Sequence, residues 1–314
     1  MSSAGCFTYF IQSCDAAGLQ VFMKNERHLP VDHIERNNRA LFEACRDGAE
    51  EICEVLICFG ADVNSAVVHQ RTPLFIACKN AHPACVDLLL AHGGNVNADD
   101  LYYGPTSLMV TCGEIDTPDY LTFDQFIDNC CRCMRSLLAA GALIDQTDNY
   151  GWTALMEATW NFRLTEILLE AGANVNKLNA IKQSALHLAA TERNMAVDLL
   201  DLLLEGGANI DAVDDNGWTH MHFACNPAIV ESLLRHNADV DIMNNDNGYT
   251  ALQWAMSRPV TSSNRAAVLQ LMATCAQTRL KASSTDWIRL ARNESGFHGY
   301  SQTETTQTTL DGLV

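Results

Sequence analysis

Apolar residues recur along this chain at helical spacing, in short runs broken by glycine and by segments rich in Asn and Asp. In "TPLFIACKN" (72–80), Leu74, Ala77 and Cys78 fall at i, i+3 and i+4 and share one face of a helix. Thr72 is placed to cap the first turn, and Pro73 has the backbone angle that turn needs. In "ACVDLLLAHGG" (84–94), Val86, Leu89 and Leu90 mark a second apolar face. That run closes on glycine, the residue suited to a left-handed helix end. The pattern predicts two short helices joined by a turn. One such pair cannot bury its own apolar face, so it must stack on neighbours.

The pair recurs. The second helix ends as "LICFGADVN" (56–64), "LLAHGGNVN" (89–97), "LLAAGALID" (137–145), "LLEAGANVN" (168–176), "LLEGGANID" (203–211) and "LLRHNADVD" (233–241). The first helix opens at Thr or Ser in positions 72, 106, 153, 184, 219 and 250. "NRALFEAC" (38–45) is an earlier, degenerate copy. Between copies stand "DNYGW", "DDNGW" and "NDNGY", which predict turns.

The T-P-L-H-x-A helix start and the L-L-x-x-G-A-x-[VI]-[ND] helix end, at a period near 33 across about residues 37–276, resemble the ankyrin repeat family. The resemblance implies an all-α solenoid of six to seven helix-turn-helix units with β-hairpin fingers. It divides the chain into an N-terminal capping segment (1–36), a repeat domain (37–276) and a polar, largely disordered tail (277–314). "CFTYFIQSC" (6–14) is expected to form a helix covering the first unit. The third unit carries an insertion at about 114–128 with five acids and three aromatics, Tyr120, Phe123 and Phe126. It either binds something or folds back onto the solenoid.

Charge narrows the partners. Asp and Glu outnumber Lys and Arg by 38 to 20, a formal charge of −18. Nucleic acids and anionic membranes are poor partners for such a surface, and a basic or extended protein segment is the natural complement. No run reaches the length of a membrane span, the first residues do not read as a secretory signal, and a monomer is expected. Thirteen cysteines, an odd number, fall mostly where small apolar residues sit in helices. This suits free thiols in a reducing compartment, the cytoplasm or alternatively the nucleus.

Two groups of residues invite a chemical reading. "NGWTHMHFAC" (216–225) holds His220, His222 and Cys225. Residues two apart point to opposite sides of a helix, so the two histidines do not share a ligand direction. The resemblance makes His222, and likewise His187, the T-P-L-H histidine bonded to neighbouring backbone. "CCRC" (130–133) lacks the second pair a structural zinc site needs and aligns with interior positions. No metal and no cofactor is expected. No phosphate-binding, nucleophile-elbow or zinc-protease motif occurs, so the reading is a non-catalytic binding protein. An enzyme using the cysteines or a metal is the distant alternative.

In the ankyrin family, finger tips and the exposed end of the first helix line a concave face that grips partners. Here those positions hold Tyr102, Tyr103, Tyr150, Trp152, Trp160, Asp215, Asn216, Trp218, Asp246, Asn247 and Tyr249. Surface Tyr and Trp are common energetic anchors of protein interfaces. The alternative is that Trp152, Trp218 and Tyr249 pack finger against finger. The resemblance also implies that Asn64, eight residues after Leu56, is a site for asparaginyl hydroxylation; Asn97 and Asn176 fit that pattern less well. A second functional reading is a substrate adaptor of a cullin-type ubiquitin ligase. "QLMATCAQTRL" (270–280) has the Leu-x-x-x-Cys core of a SOCS box at Leu271 and Cys275, but no proline follows Pro259 for the cullin-docking portion.

Overall fold

The computed structural model describes residues 9–25, 32–67, 71–98, 104–113, 121–191, 197–223 and 227–257. They divide into two compact units, one through Ala180 and one from Ile181. The first contains α1 (Ala16–Asn25), α2 (Asp32–Asp47), α3 (Glu50–Cys58), α4 (Pro73–Lys79), α5 (Pro83–Ala91), α6 (Ser107–Cys112), α7 (Phe123–Ala139), α8 (Ala154–Glu157) and α9 (Phe162–Glu170). A 3-10 turn, Ala158–Trp160, extends α8. The second contains α10 (Ala185–Thr191), α11 (Val197–Glu205), α12 (His220–Phe223), α13 (Pro227–Arg235) and α14 (Ala251–Ser257).

In the first unit, α2, α4, α6 and α8 stack in one row and α3, α5, α7 and α9 in a second. In the second unit, α10, α12 and α14 stack in one row and α11 packs on α13 in the other. Leu41, Leu74, Leu108 and Leu155 run through the first row of unit one, and Leu56, Leu89, Leu137 and Leu168 through its second, all buried. Each such leucine contributes about 2 kcal/mol of burial. That is how helices of four to nine residues, too short to persist alone, become stable.

The repeated motifs have local causes. The Thr72 hydroxyl accepts the Phe75 N–H at 3.2 Å with Pro73 in the first turn. Thr106 and Thr153 cap α6 and α8 the same way. The L-L-x-x-G-A ending is a six-fold Schellman closure. The Ala61 N–H bonds the Leu56 carbonyl while Gly60 bonds Ile57, and the same two bonds close the helices ending at Gly93, Gly141, Gly172, Gly207 and Asn237. The closure needs a left-handed residue, and these have φ from 64° to 88°. Asn237 fills the slot without glycine.

Among the described residues, the expected β-hairpin fingers are hairpin turns closed by cross-arm bonds such as Asp148 N–H to the Trp152 carbonyl at 3.0 Å. The arms are too short for strands, and pairing takes the form of isolated bridges such as Met243–Thr250. The insertion is partly helix. Thr122 and Gln125 form a capping box, and Phe123–Asp128 are the opening turns of the 17-residue α7. Phe126 is buried in it, while Glu114, Asp116, Asp119 and Tyr120 lie outside the described residues. The boundary expected at 36/37 falls inside α2, and α1 packs on α3. Of "CFTYFIQSC", residues 9–12 are helical. The tail from 258, with Leu271 and Cys275, lies outside the described residues.

Candidate protein interface

Two of the described fingers are held by an aspartate Asx cap at the base. In unit one the Asp148 carboxylate accepts the N–H groups of Tyr150 and Trp152, both at 2.8 Å. In unit two Asp214 accepts those of Asn216 and Trp218, both at 2.9 Å. Finger tips are also tied to one another. The Ala180 N–H donates to the Tyr150 carbonyl at 2.8 Å, Asp215 to Ile181 at 3.2 Å, and Asn245 to Asn216 at 2.7 Å. Lys182 takes the turn position that Gly151, Gly217 and Gly248 occupy elsewhere, at φ 59°. Its ammonium lies 2.8 Å from the Asp215 carboxylate.

Histidines fasten fingers to helices. His222 Nδ1 accepts the Thr219 N–H at 3.1 Å, so its Nε2–H donates to the Tyr249 carbonyl at 3.0 Å. His187 does the same between the Ser184 N–H and the Trp218 carbonyl. His220 is fully buried, donates from Nδ1 to the Ile210 carbonyl at 2.8 Å, and stacks on His187 with ring centroids 4.0 Å apart. Burial lowers all three imidazoles; for His220, burial and then the His187 ring hold it at about 3. The ring nitrogens of His187 and His222 are committed to the scaffold. Cys225 lies outside the described residues.

The proposed binding residues fall into two sets. In unit two, Asp215, Asn216 and Trp218 stand on one finger and Asp246, Asn247 and Tyr249 on the next. Trp218 is half-buried. Its Nε1–H donates to Asp246 Oδ2 at 2.9 Å, and its ring packs edge-on to Trp254 at 4.6 Å and near Phe223 at 5.5 Å. It therefore packs as well as presents. In unit one, Tyr150 is 57% exposed at its tip and Trp152 is half-buried. Trp160 lies at the end of the 3-10 turn that closes the first helix. Its Nε1–H binds the Cys112 carbonyl at 2.6 Å and its ring meets Phe123. Tyr102 and Tyr103 lie outside the described residues.

Sequence reasoning missed Ile181, Met243, Phe223 and Trp254. Ile181 and Met243 are 54% and 59% exposed on unit-two fingers. Phe223 and Trp254 share the position four residues after the opening Thr, and aligning that position across copies would have found them. Asn64 belongs to a different row. Its amide donates to the Gly93 carbonyl at 3.0 Å and accepts the Asn95 N–H at 2.6 Å, tying one helix end to the next. Asn97 repeats this with Gly141 and Leu143.

Cys45, Cys53, Cys78, Cys85, Cys112, Cys130, Cys131 and Cys133 are buried among the helices, with Cys45 and Cys53 sulfurs 3.5 Å apart. Among the described residues, no group of three His, Cys, Asp or Glu side chains is placed to hold a metal.

Stacked two-helix units, Schellman ends and Asx-capped fingers define a helical repeat protein. A family model of ankyrin repeats matches residues 6–100, 41–132, 161–244 and 186–279, and the chain belongs to that family. It is 34% identical over 128 residues to the ankyrin repeat protein nuc-2 of Neurospora crassa, covering 40% of this chain and 11% of that one. It is 30% identical over 169 residues to ankyrin repeat and SOCS box protein 6 of Homo sapiens, covering 50% of this chain and 36% of that one. The solved human ASB11 ankyrin repeat domain superposes with a TM-score of 0.58 at 26% identity, covering 73% of this chain and 96% of that one. The chain thus spans about a tenth and about a third of the two curated relatives. Among the described residues, no helix is long and apolar enough to cross a membrane.

Proposed function

We propose that the chain is a non-catalytic adaptor that holds a basic or extended protein segment along its finger side, in a reducing compartment such as the cytoplasm or nucleus. The observation that carries this is the set of large apolar side chains, Tyr150 in unit one and Ile181, Met243 and Tyr249 in unit two, left exposed on fingers. Their backbones are fixed by the Asx caps and tip-to-tip bonds, so little ordering entropy opposes binding. The acid beside Tyr249, Asp246, favours a cationic partner. The test is affinity purification with the full chain and a Tyr150→Ala/Tyr249→Ala variant. Both residues are exposed, so the helical circular dichroism should not change. Proteins retained by the wild type should be lost from the variant; an unchanged set of captured proteins sinks the reading.

A second reading, substrate recognition within a cullin-type ubiquitin ligase, draws on the likeness to the SOCS box relative. Elongin capture by the full chain, absent from a chain ending at Ala276, would support it.

A further inference from the structure

The first helices of the repeats share a position four residues after the opening Thr or Ser. In unit two it holds Leu188, Phe223 and Trp254, all half-buried and apolar. In unit one it holds Ile76, Val110 and Glu157, with Glu43 at the matching place of the degenerate first copy. In unit one the series thus begins and ends on an acid, with Ile76 and Val110 between. Glu43 is neutralised within its own helix, because Arg46 three residues on ion-pairs with it. At Glu157 the residue three on is Trp160, whose indole N–H is committed to the Cys112 carbonyl. Among the described residues, no ion pair or side-chain hydrogen bond reaches the Glu157 carboxylate.

Its surroundings favour a cation. Glu157 is half-buried, and a carboxylate in that setting without a partner is costly. Burial, and secondarily the like charge of Asp148, raises its pKa. Its Oε2 stands 3.6 Å from where a side chain at Gly113 would begin. A positive group docking here would relieve the desolvation and the repulsion from Asp148 together.

We propose that Glu157 receives one arginine or lysine side chain of the protein partner, filling the role that Arg46 fills beside Glu43. This rests on the reading that the finger side holds a partner, and it fixes where a basic residue of that partner sits.

The test titrates the full chain with a capped hexa-arginine peptide by calorimetry. Glu157→Gln should weaken binding about tenfold, whereas Glu54→Gln, which removes the same charge from an exposed site on α3, should change it less than about twofold. Equal losses, or no binding by the wild type, overturn the proposal. In the wild type, the Glu157 carboxyl pKa followed by NMR should fall when peptide is added; an unmoved value also overturns it. The Tyr150→Ala/Tyr249→Ala variant separates the two readings. If it loses partner capture while Glu157→Gln keeps full peptide affinity, the Glu157 assignment falls and the finger face stands. If it keeps capture while Glu157→Gln loses affinity, the finger reading falls and Glu157 remains a cation site.

Discussion

His222 and Tyr249 are joined by a 3.0 Å hydrogen bond from the imidazole Nε2–H to the backbone carbonyl, so a helix start grips the finger of the following copy. The other ring nitrogen accepts the Thr219 N–H. Replacing His222 by Phe keeps most of the ring volume but leaves the buried Thr219 N–H without a partner and the Tyr249 carbonyl with the Asn244 N–H alone. A loss of about 2 kcal/mol is expected, read as a lower urea midpoint with unchanged slope. A midpoint within error of the wild type would show that the bond does not hold the finger.

Acid should destabilise the protein in a window set by its histidines. Burial holds His82, His187, His220 and His222 below their usual value, His220 at about 3. Backbone carbonyl bonds oppose the shift at all four, and Asp214 opposes it at His187 and His222. The sign follows from which state binds protons. As pH falls below about 6.5, the unfolded chain protonates these rings before the folded one does. Their contribution is therefore complete above about 6.5 and is lost on acidification, down to about 3 for His220. The slope is about 1.4 kcal/mol per pH unit for each ring held fully neutral. The urea midpoint should fall between pH 7.5 and 5.5, and His220→Phe should flatten that fall whatever it does to stability at pH 7.5. A midpoint that stays level or rises on acidification contradicts this account.

The repeats were legible because each element carries local instructions. Thr72 with Pro73 starts a helix, Gly60 or Gly93 ends one, and the leucine spacing says which face is buried. The site was legible only in outline. Trp218 could be assigned to a finger from "DNGW", but not its bond to Asp246 on the next finger, which depends on how successive copies stack. The 2.6 Å bond from Trp160 to the Cys112 carbonyl, a tie to the preceding first helix, likewise depends on stacking and has no signature in one repeat. The "CCRC" cysteines read as interior from register alone, because one turn of α7 packs all three against neighbouring helices.

That burial makes a prediction about the thiols. Reaction with an alkylating agent needs both access and thiolate. Burial pushes Cys78 and Cys130 up to about 12 and raises Cys112 and Cys133 strongly. At Cys53 the main cause is the contact with the Cys45 thiol. Cys14 and Cys58, by contrast, are exposed. Brief iodoacetamide treatment of the native protein at pH 8, with the modified sites mapped by mass spectrometry, should label Cys14 and Cys58 and spare the eight buried cysteines. Denaturant should bring those eight to full labelling. The same shifts give the alkaline sign: folded values above the unfolded one mean stability present below about pH 9 and lost above it. Rapid native labelling of Cys78, Cys130 or Cys133 would show that the helix rows open far more readily than their packing allows, and the cysteines would then have to be read as accessible groups rather than as core.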